Sequence, residues 1–237
     1  MMRHPMLRAA ALLLLVFALP VLAANGGMTL EQLATLRTVT QATVSPDGGR
    51  IAYVLSVPRR VGVDDDGPAW GELHVASRDG ASRGYVTGKV NVGGLAWAPD
   101  GRSLYYLAKR QGDEARSLYR IPVDGGESSV VATLKSDIRG FSLSADGNQV
   151  ALLAPQPESD ELKALRKKGF SQKVYEEDWR PVQLWIAGTG EGAAPRLVEV
   201  EGSVQSVRWS PAGDRLALLV APRQLTDDTL VFTRVRI

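Results

Sequence analysis

The chain has 237 residues, 28 Lys and Arg against 26 Asp and Glu, no cysteine, and 44% hydrophobic residues. That length accommodates a sizeable core, and no Lys/Arg run interleaved with aromatics suggests a nucleic-acid surface. The lack of cysteine excludes disulfides, thiolate metal sites and a Cys nucleophile.

In chain order the first element is a secretory leader over residues 1–23. Arg3 and Arg8 give a basic start, Ala9 to Leu19 is an apolar run, and Val21-Leu22-Ala23 offers a cleavage site. The run is shorter than the roughly 20 apolar residues that span a bilayer, so a cleaved leader is favoured over an uncleaved anchor. No Cys follows it to carry a lipid. Cleavage would remove two Arg and no acid, leaving a near-neutral chain expected in the periplasm or outside the cell, with no membrane attachment.

Thr29-Leu30-Glu31-Gln32 reads as a capping box and predicts a short helix carrying Leu33 and Leu36. From there a phrase recurs four times: Val44-Ser45-Pro46-Asp47-Gly48, Trp97-Ala98-Pro99-Asp100-Gly101, Leu143-Ser144-Ala145-Asp146-Gly147 and Trp209-Ser210-Pro211-Ala212-Gly213. Pro presets φ, Asp bonds the neighbouring backbone, and Gly closes the turn without a Cβ clash, so each copy predicts a hairpin. The turn glycines are 53, 46 and 66 residues apart, near the length of a propeller blade, with an insertion in the third interval.

Strands are expected near 43–45, 51–56, 72–77 and 83–87, then near 94–98, 103–108, 117–123 and 129–134. The third unit gives 140–144, 150–154, 183–187 and 196–200, and the fourth 206–210, 216–221 and 229–236. Four strands per repeat predict an all-β partial propeller over residues 28–237, of about three and three-quarter blades. Ala151 to Leu153 and Leu216 to Val220 do not alternate, as expected of strands covered on both faces. Between Pro155 and Pro181 the repeat is interrupted. There Ser159 caps a predicted helix over Asp160 to Lys168 that ends at Gly169, followed by a loop from Phe170 to Trp179.

The leader, the Met28 to Leu33 helix, the Ser-Pro-Asp-Gly turns, the Lys-rich insert and Val174-Tyr175-Glu176-Glu177-Asp178-Trp179-Arg180-Pro181 together resemble exported bacterial peptidases of the prolyl oligopeptidase family (S9). The nearest branch is the dipeptidyl aminopeptidase and acylaminoacyl peptidase group. The resemblance covers essentially all of the chain, and it implies a propeller that covers a C-terminal α/β-hydrolase domain carrying a Ser-Asp-His triad. That catalytic domain is absent from this sequence, so the expectation is a non-catalytic propeller fragment that gates and selects peptide substrate. The alternative is a stand-alone, TolB-like periplasmic propeller that binds proteins through its faces, since TolB-like propellers share the turn phrase and four-bladed propellers exist.

The resemblance also implies a pair of carboxylates that hold a peptide's free amino terminus, which nominates Glu176 and Glu177, although the order Tyr-Glu-Glu-Asp-Trp differs from that branch's motif. Charge-assisted hydrogen bonds would do the gripping. The competing reading is an acidic loop salt-bridged to Arg180 or to the inserted helix.

Other local signals read as structure. Gly80-Ala81-Ser82-Arg83-Gly84 matches Gly-x-Ser-x-Gly but falls in a hairpin instead of a strand-to-helix elbow. Gly188-Thr189-Gly190-Glu191-Gly192 lacks the helix a dinucleotide loop needs. His74 lies in a predicted strand without a nucleophile elbow to serve, and Asp64-Asp65-Asp66-Gly67 lacks the alternating ligands of a calcium loop. No catalytic residue, metal or cofactor is expected in this chain.

Overall fold

The computed structural model describes residues 27–237 except 173, 175, 178 and 191. The expected leader over residues 1–23 lies outside the described residues. The chain divides after Leu36 into two units. In the first, helix α1 (Leu30–Ala34) starts with the expected capping box. The Thr29 amide donates to Gln32 Oε1 at 3.0 Å and the Gln32 amide to Thr29 Oγ1 at 3.2 Å, which satisfies two amides the helix leaves free.

The second unit, Arg37–Ile237, holds four antiparallel sheets. The first contains β1 (Thr38–Val44), β2 (Arg50–Val57), β3 (Trp70–Ser77) and β4 (Ser82–Val86), and the second β5 (Gly93–Trp97), β6 (Ser103–Ala108), β7 (Ser117–Pro122) and β8 (Ser129–Ala132). The third contains β9 (Gly140–Leu143), β10 (Gln149–Pro155), β11 (Val182–Gly188) and β12 (Arg196–Val198), with helix α2 (Asp160–Lys167) inserted between β10 and β11. The fourth has three strands, β13 (Ser203–Trp209), β14 (Leu216–Ala221) and β15 (Arg234–Arg236), with helix α3 (Thr226–Val231) before the last. Each sheet is an up-and-down meander, and the first strands β1, β5, β9 and β13 adjoin one another in turn. This is the stacking of propeller blades, as the repeat implies.

The core lies between sheets. On β6, Leu104, Tyr106 and Ala108 pack with Ala52, Val54, Leu73 and Val75 of the first sheet, while Tyr105 and Leu107 pack with Val150 and Leu152 of the third. Ala151 and Leu153 then meet Val204, Val207 and Val220 of the fourth. Interior strands are therefore apolar on both faces, which is why their sequences do not alternate. The outward faces of the end sheets stay bare: Val39, Val44 and Ile51 on the first and Leu219 and Val235 on the fourth are exposed.

The four hairpins share one geometry. Gly48, Gly101, Gly147 and Gly213 have φ between 67° and 74°, and each glycine amide donates to the carbonyl three residues back at 2.8 or 2.9 Å. In two of them a serine hydroxyl donates to the turn aspartate, Ser45 to Asp47 at 2.5 Å and Ser144 to Asp146 at 2.6 Å. The fourth turn has Ala212 instead, and Ser210 Oγ donates to Asp214 at 2.8 Å. Successive turns also touch, since a Cβ on Gly147 would stand 3.0 Å from Pro99 Cδ and one on Gly101 3.6 Å from Pro46 Cδ.

Helix α2 forms as expected, with Ser159 Oγ accepting from the Leu162 amide at 3.2 Å. Gly169 closes it at φ 93°, with Phe170 N–H to Leu165 O and Gly169 N–H to Arg166 O completing a Schellman motif. The strand expected over 229–236 is corrected. Thr226–Val231 is helical and pairing is confined to Arg234–Arg236. Asp227 and Asp228 occupy the helix's first turn, where the dipole favours acids, and buried Asp228 takes the Arg223 guanidinium at 2.5 and 3.4 Å. Two first strands begin earlier than expected, β1 at Thr38 and β13 at Ser203, and each contains a register shift that hides its period.

Two outcomes follow from the turns. Gly147→Ala should destabilise the protein by more than the about 1–2 kcal/mol of a left-handed residue, because Pro99 must also move. Gly48→Ala, with open space around its Cβ, should show the backbone penalty alone when both are compared by urea denaturation. The Asp47, Asp79 and Asp146 carboxyls are held below their ordinary 3.8, first by the serine hydroxyl of each turn and then by a backbone amide. Their stabilisation is complete above pH 3.8 and disappears as pH falls through the lower folded values. Asp146→Asn should therefore flatten part of the acid limb of a stability–pH profile.

Candidate functional site

Strand parity sorts the connections between two ends of the sheets. The four repeated hairpins lie at one end. The β2–β3, β6–β7, β10–β11 and β14–β15 connections and the links between sheets all lie at the other. This second end therefore carries the long segments 58–69, 109–116, 156–181 and 222–233, and loops held by a rigid scaffold are where binding residues concentrate.

Glu176 and Glu177 sit there, both exposed, in a turn closed by the Glu177 amide donating to Val174 O at 3.3 Å. Glu176 has φ 64° and is the one non-glycine residue with positive φ among the described residues. A left-handed glutamate is strained, and such strain gathers at functional positions. Tyr175 and Asp178, the neighbours in the same motif, lie outside the described residues.

For the competing salt-bridge reading, the described cations nearby are engaged elsewhere. Arg180 donates Nη1 to the Gln156 carbonyl at 3.1 Å. In the insert, Lys163 pairs with Asp160 at 3.2 Å and Arg166 with Glu158 at 3.0 Å. Among the described residues no ion pair within 4.0 Å includes Glu176 or Glu177. Glu176 does act at a distance on Arg223 of the β14–α3 loop. That guanidinium is pushed up chiefly by its hydrogen bond to Asp228, then by the charge of Asp228, with Glu176 adding to it. The insert and the fourth sheet's loop thus face each other electrostatically, which local sequence does not reveal.

The discounted motifs are structural in the fold. Ser82 opens β4 in a plain hairpin, its hydroxyl 2.7 Å from the Tyr53 hydroxyl. His74 Nε2 lies 3.1 Å from Glu72 Oε2, and its ring stacks on Tyr53 with centroids 5.5 Å apart. Asp64 is held down to about 2, first by its hydrogen bond from the Arg60 side chain and then by the Arg60 amide. Thr189 anchors its hairpin through Oγ1 to Gly147 O at 2.7 Å.

Two cavities open at the loop end. One of about 790 Å³ lies between the second and third sheets, with Leu134, Pro157, Trp185 and Leu197 on its apolar side and Asp113 and Gln183 among its polar groups. The other, of about 410 Å³, lies between the first and second sheets and is lined by Trp70, Lys89, Asn91, Lys109, Arg116 and Asp137. Among the described residues no helix is long and apolar enough to cross a membrane.

No family model matches the chain. It is 24% identical over 157 residues, 66% of its length, to the uncharacterized peptidase YuxL of Bacillus subtilis (strain 168), and 29% identical over 128 residues, 54% of its length, to dipeptidyl-peptidase 5 of Porphyromonas endodontalis. The matched stretches span 22% and 18% of those two proteins.

Among solved structures, acylaminoacyl peptidase of Pyrococcus horikoshii superposes with a TM-score of 0.57 at 13% identity, over 85% of this chain and 30% of that one. The TolB candidate from Agrobacterium tumefaciens does so at 0.50 and 18% identity, over 80% of this chain and 58% of that one. These structures share the fold. Together with the sequence matches they relate the chain to the propellers of S9 peptidases.

The strained turn gives a direct test. Glu176→Gly removes the left-handed penalty and no ion pair, so thermal denaturation should show a gain of about 0.5–1 kcal/mol. A loss of stability would mean that the carboxylate holds the turn.

Proposed function

We propose that this chain, related to the propellers of S9 peptidases, is the substrate-gating part of an exported serine peptidase of the dipeptidyl or acylaminoacyl type. The reading rests chiefly on sequence similarity to two peptidases over 157 and 128 residues. In it the chain carries no nucleophile, and hydrolysis belongs to an α/β-hydrolase partner domain, at the C-terminal side in the parent protein, carrying a Ser-Asp-His triad. The leader over residues 1–23 directs the protein to the periplasm or beyond.

The propeller's part is selection. A peptide that reaches the hydrolase must pass the loop end of the sheets, where Glu176 and Glu177 make no ion pair within 4.0 Å among the described residues. An ammonium group on the peptide offers three donors to two adjacent carboxylates, which stand on a turn with Glu176 in the left-handed conformation. An N-acylated peptide has no such charge to offer. The other reading, a stand-alone binding propeller, is favoured by the fold shared with the TolB candidate.

The gene past the codon for Ile237 separates the two. A strand leading into Gly-x-Ser-x-Gly, followed by Asp and then His, supports the peptidase reading, and unrelated sequence after a stop supports the binding module. In the peptidase, Glu177→Gln should raise the KM for free-amine peptides about tenfold or more, the worth of one charged hydrogen bond, and leave N-acylated peptides unaffected. An unchanged KM removes Glu177 from substrate handling.

A further inference from the structure

We propose that the cleft between the first and second sheets binds an organic carboxylate, gripped by Arg116 and Lys89 and seated against Trp70. Three connections build it: Lys89 comes from the β4–β5 link, Lys109 and Arg116 from the β6–β7 segment, and Asp137 from the β8–β9 link.

The Arg116 guanidinium lies over the backbone of Gly93, so closely that a Cβ there would stand 2.5 Å from Nη2. Its Nε is buried without a hydrogen-bond partner, the one such side-chain atom among the described residues. A buried donor left unmade is costly, so Arg116 stands at the cleft wall with its hydrogen-bonding capacity incompletely used. Burial also pushes the guanidinium's pKa down, with only Asp137 opposing.

Charge points the same way. Three cations line the cleft against a single carboxylate, Asp137, which accepts from the Arg116 backbone amide at 2.7 Å. Lys109 donates to a neutral carbonyl, Glu114 O, at 2.8 Å. Lys89 is exposed and within electrostatic reach of Asp64, which is itself paired with Arg60. Among the described residues no ion pair within 4.0 Å neutralises Lys89, Lys109 or Arg116.

The walls select the class of anion. At about 410 Å³ the cleft far exceeds the roughly 30 Å³ share of a water, and Trp70, Val90 and Val92 give it apolar sides. Arg59 covers the Trp70 ring at 3.9 Å from its centroid and fixes it. A carboxylate on a short carbon chain fits cations beside apolar walls. Phosphate brings charge but no carbon chain to lie against Trp70, Val90 and Val92.

The test is calorimetric titration of the full chain at low ionic strength with glutarate, with glutaramide and inorganic phosphate as comparators. The proposal expects saturable glutarate binding with a Kd in the region of about 1 mM, weaker phosphate binding, and none for the amide. Lys89→Gln, an exposed change, should weaken glutarate about fivefold or more without altering the melting temperature, and Arg116→Gln should abolish binding. If Arg116→Gln fails to fold, Lys89→Gln combined with Lys109→Gln decides in its place. Equal affinity of wild type and folded variants, no saturation by about 50 mM, or phosphate binding tighter than glutarate each overturns the assignment.

Discussion

Each sheet must be covered by the next, because a strand apolar on both faces has nowhere else to put its side chains. At two of the three junctions a hydrogen bond at the innermost strand marks the register of that contact. The Trp97 indole N–H donates to Thr43 O at 3.1 Å and the Trp209 indole to Ser142 O at 3.0 Å, each reaching from the end of a first strand to the preceding sheet. Trp suits this position because it combines a large apolar body with a donor that must be satisfied once buried. The turn following Trp97 also abuts the turn of the sheet before, with Gly101 beside Pro46, so there hairpin geometry and sheet stacking are aspects of the same contact.

This arrangement divides labour between the two ends of the sheets. At the hairpin end the turns of Asp47, Asp79 and Asp146 satisfy themselves, with serine hydroxyl, carboxylate and backbone amide bonded to one another. At the opposite end the connections are long and vary from sheet to sheet, and there the polar groups are less completely paired. The strained Glu176 and, among the described residues, the orphaned Arg116 Nε both fall on that side. One scaffold thus keeps a stable rim and a variable one.

Most of the scaffold was legible in the sequence because its determinants are local. The Ser-Pro-Asp-Gly phrase specifies a turn by its own chemistry, Thr29 and Ser159 cap their helices within three residues, and Gly169 closes α2 where only a left-handed residue serves. What escaped depends on distant partners. Helix α3 competes with a strand-forming run, Leu230 to Val235, and prevails at its start through Arg223 and Asp228. The early parts of β1 and β13 are masked by bulges. Glu176 and Glu177 could be nominated from resemblance, but the reach of Glu176 toward Arg223 could not. The Arg116 cleft draws on links scattered along the first half of the chain, and strand parity alone would have shown that Lys89, Lys109, Arg116 and Asp137 share one end.

Leu143 occupies the place that Trp97 and Trp209 hold in their own sheets. The junction between the second and third sheets therefore has no indole to tie it, and it is also where the larger cavity lies. Beside the linker bonds from Ile138 N–H to Arg116 O and from Arg116 N–H to Asp137 Oδ1, packing holds that seam: Ile138, Phe141 and Leu143 on one side, Tyr105, Leu107 and Leu118 on the other. Apolar surfaces slide more readily than a directional bond stretches, so the innermost strands β5 and β9 should yield to shear before the two indole-tied pairs.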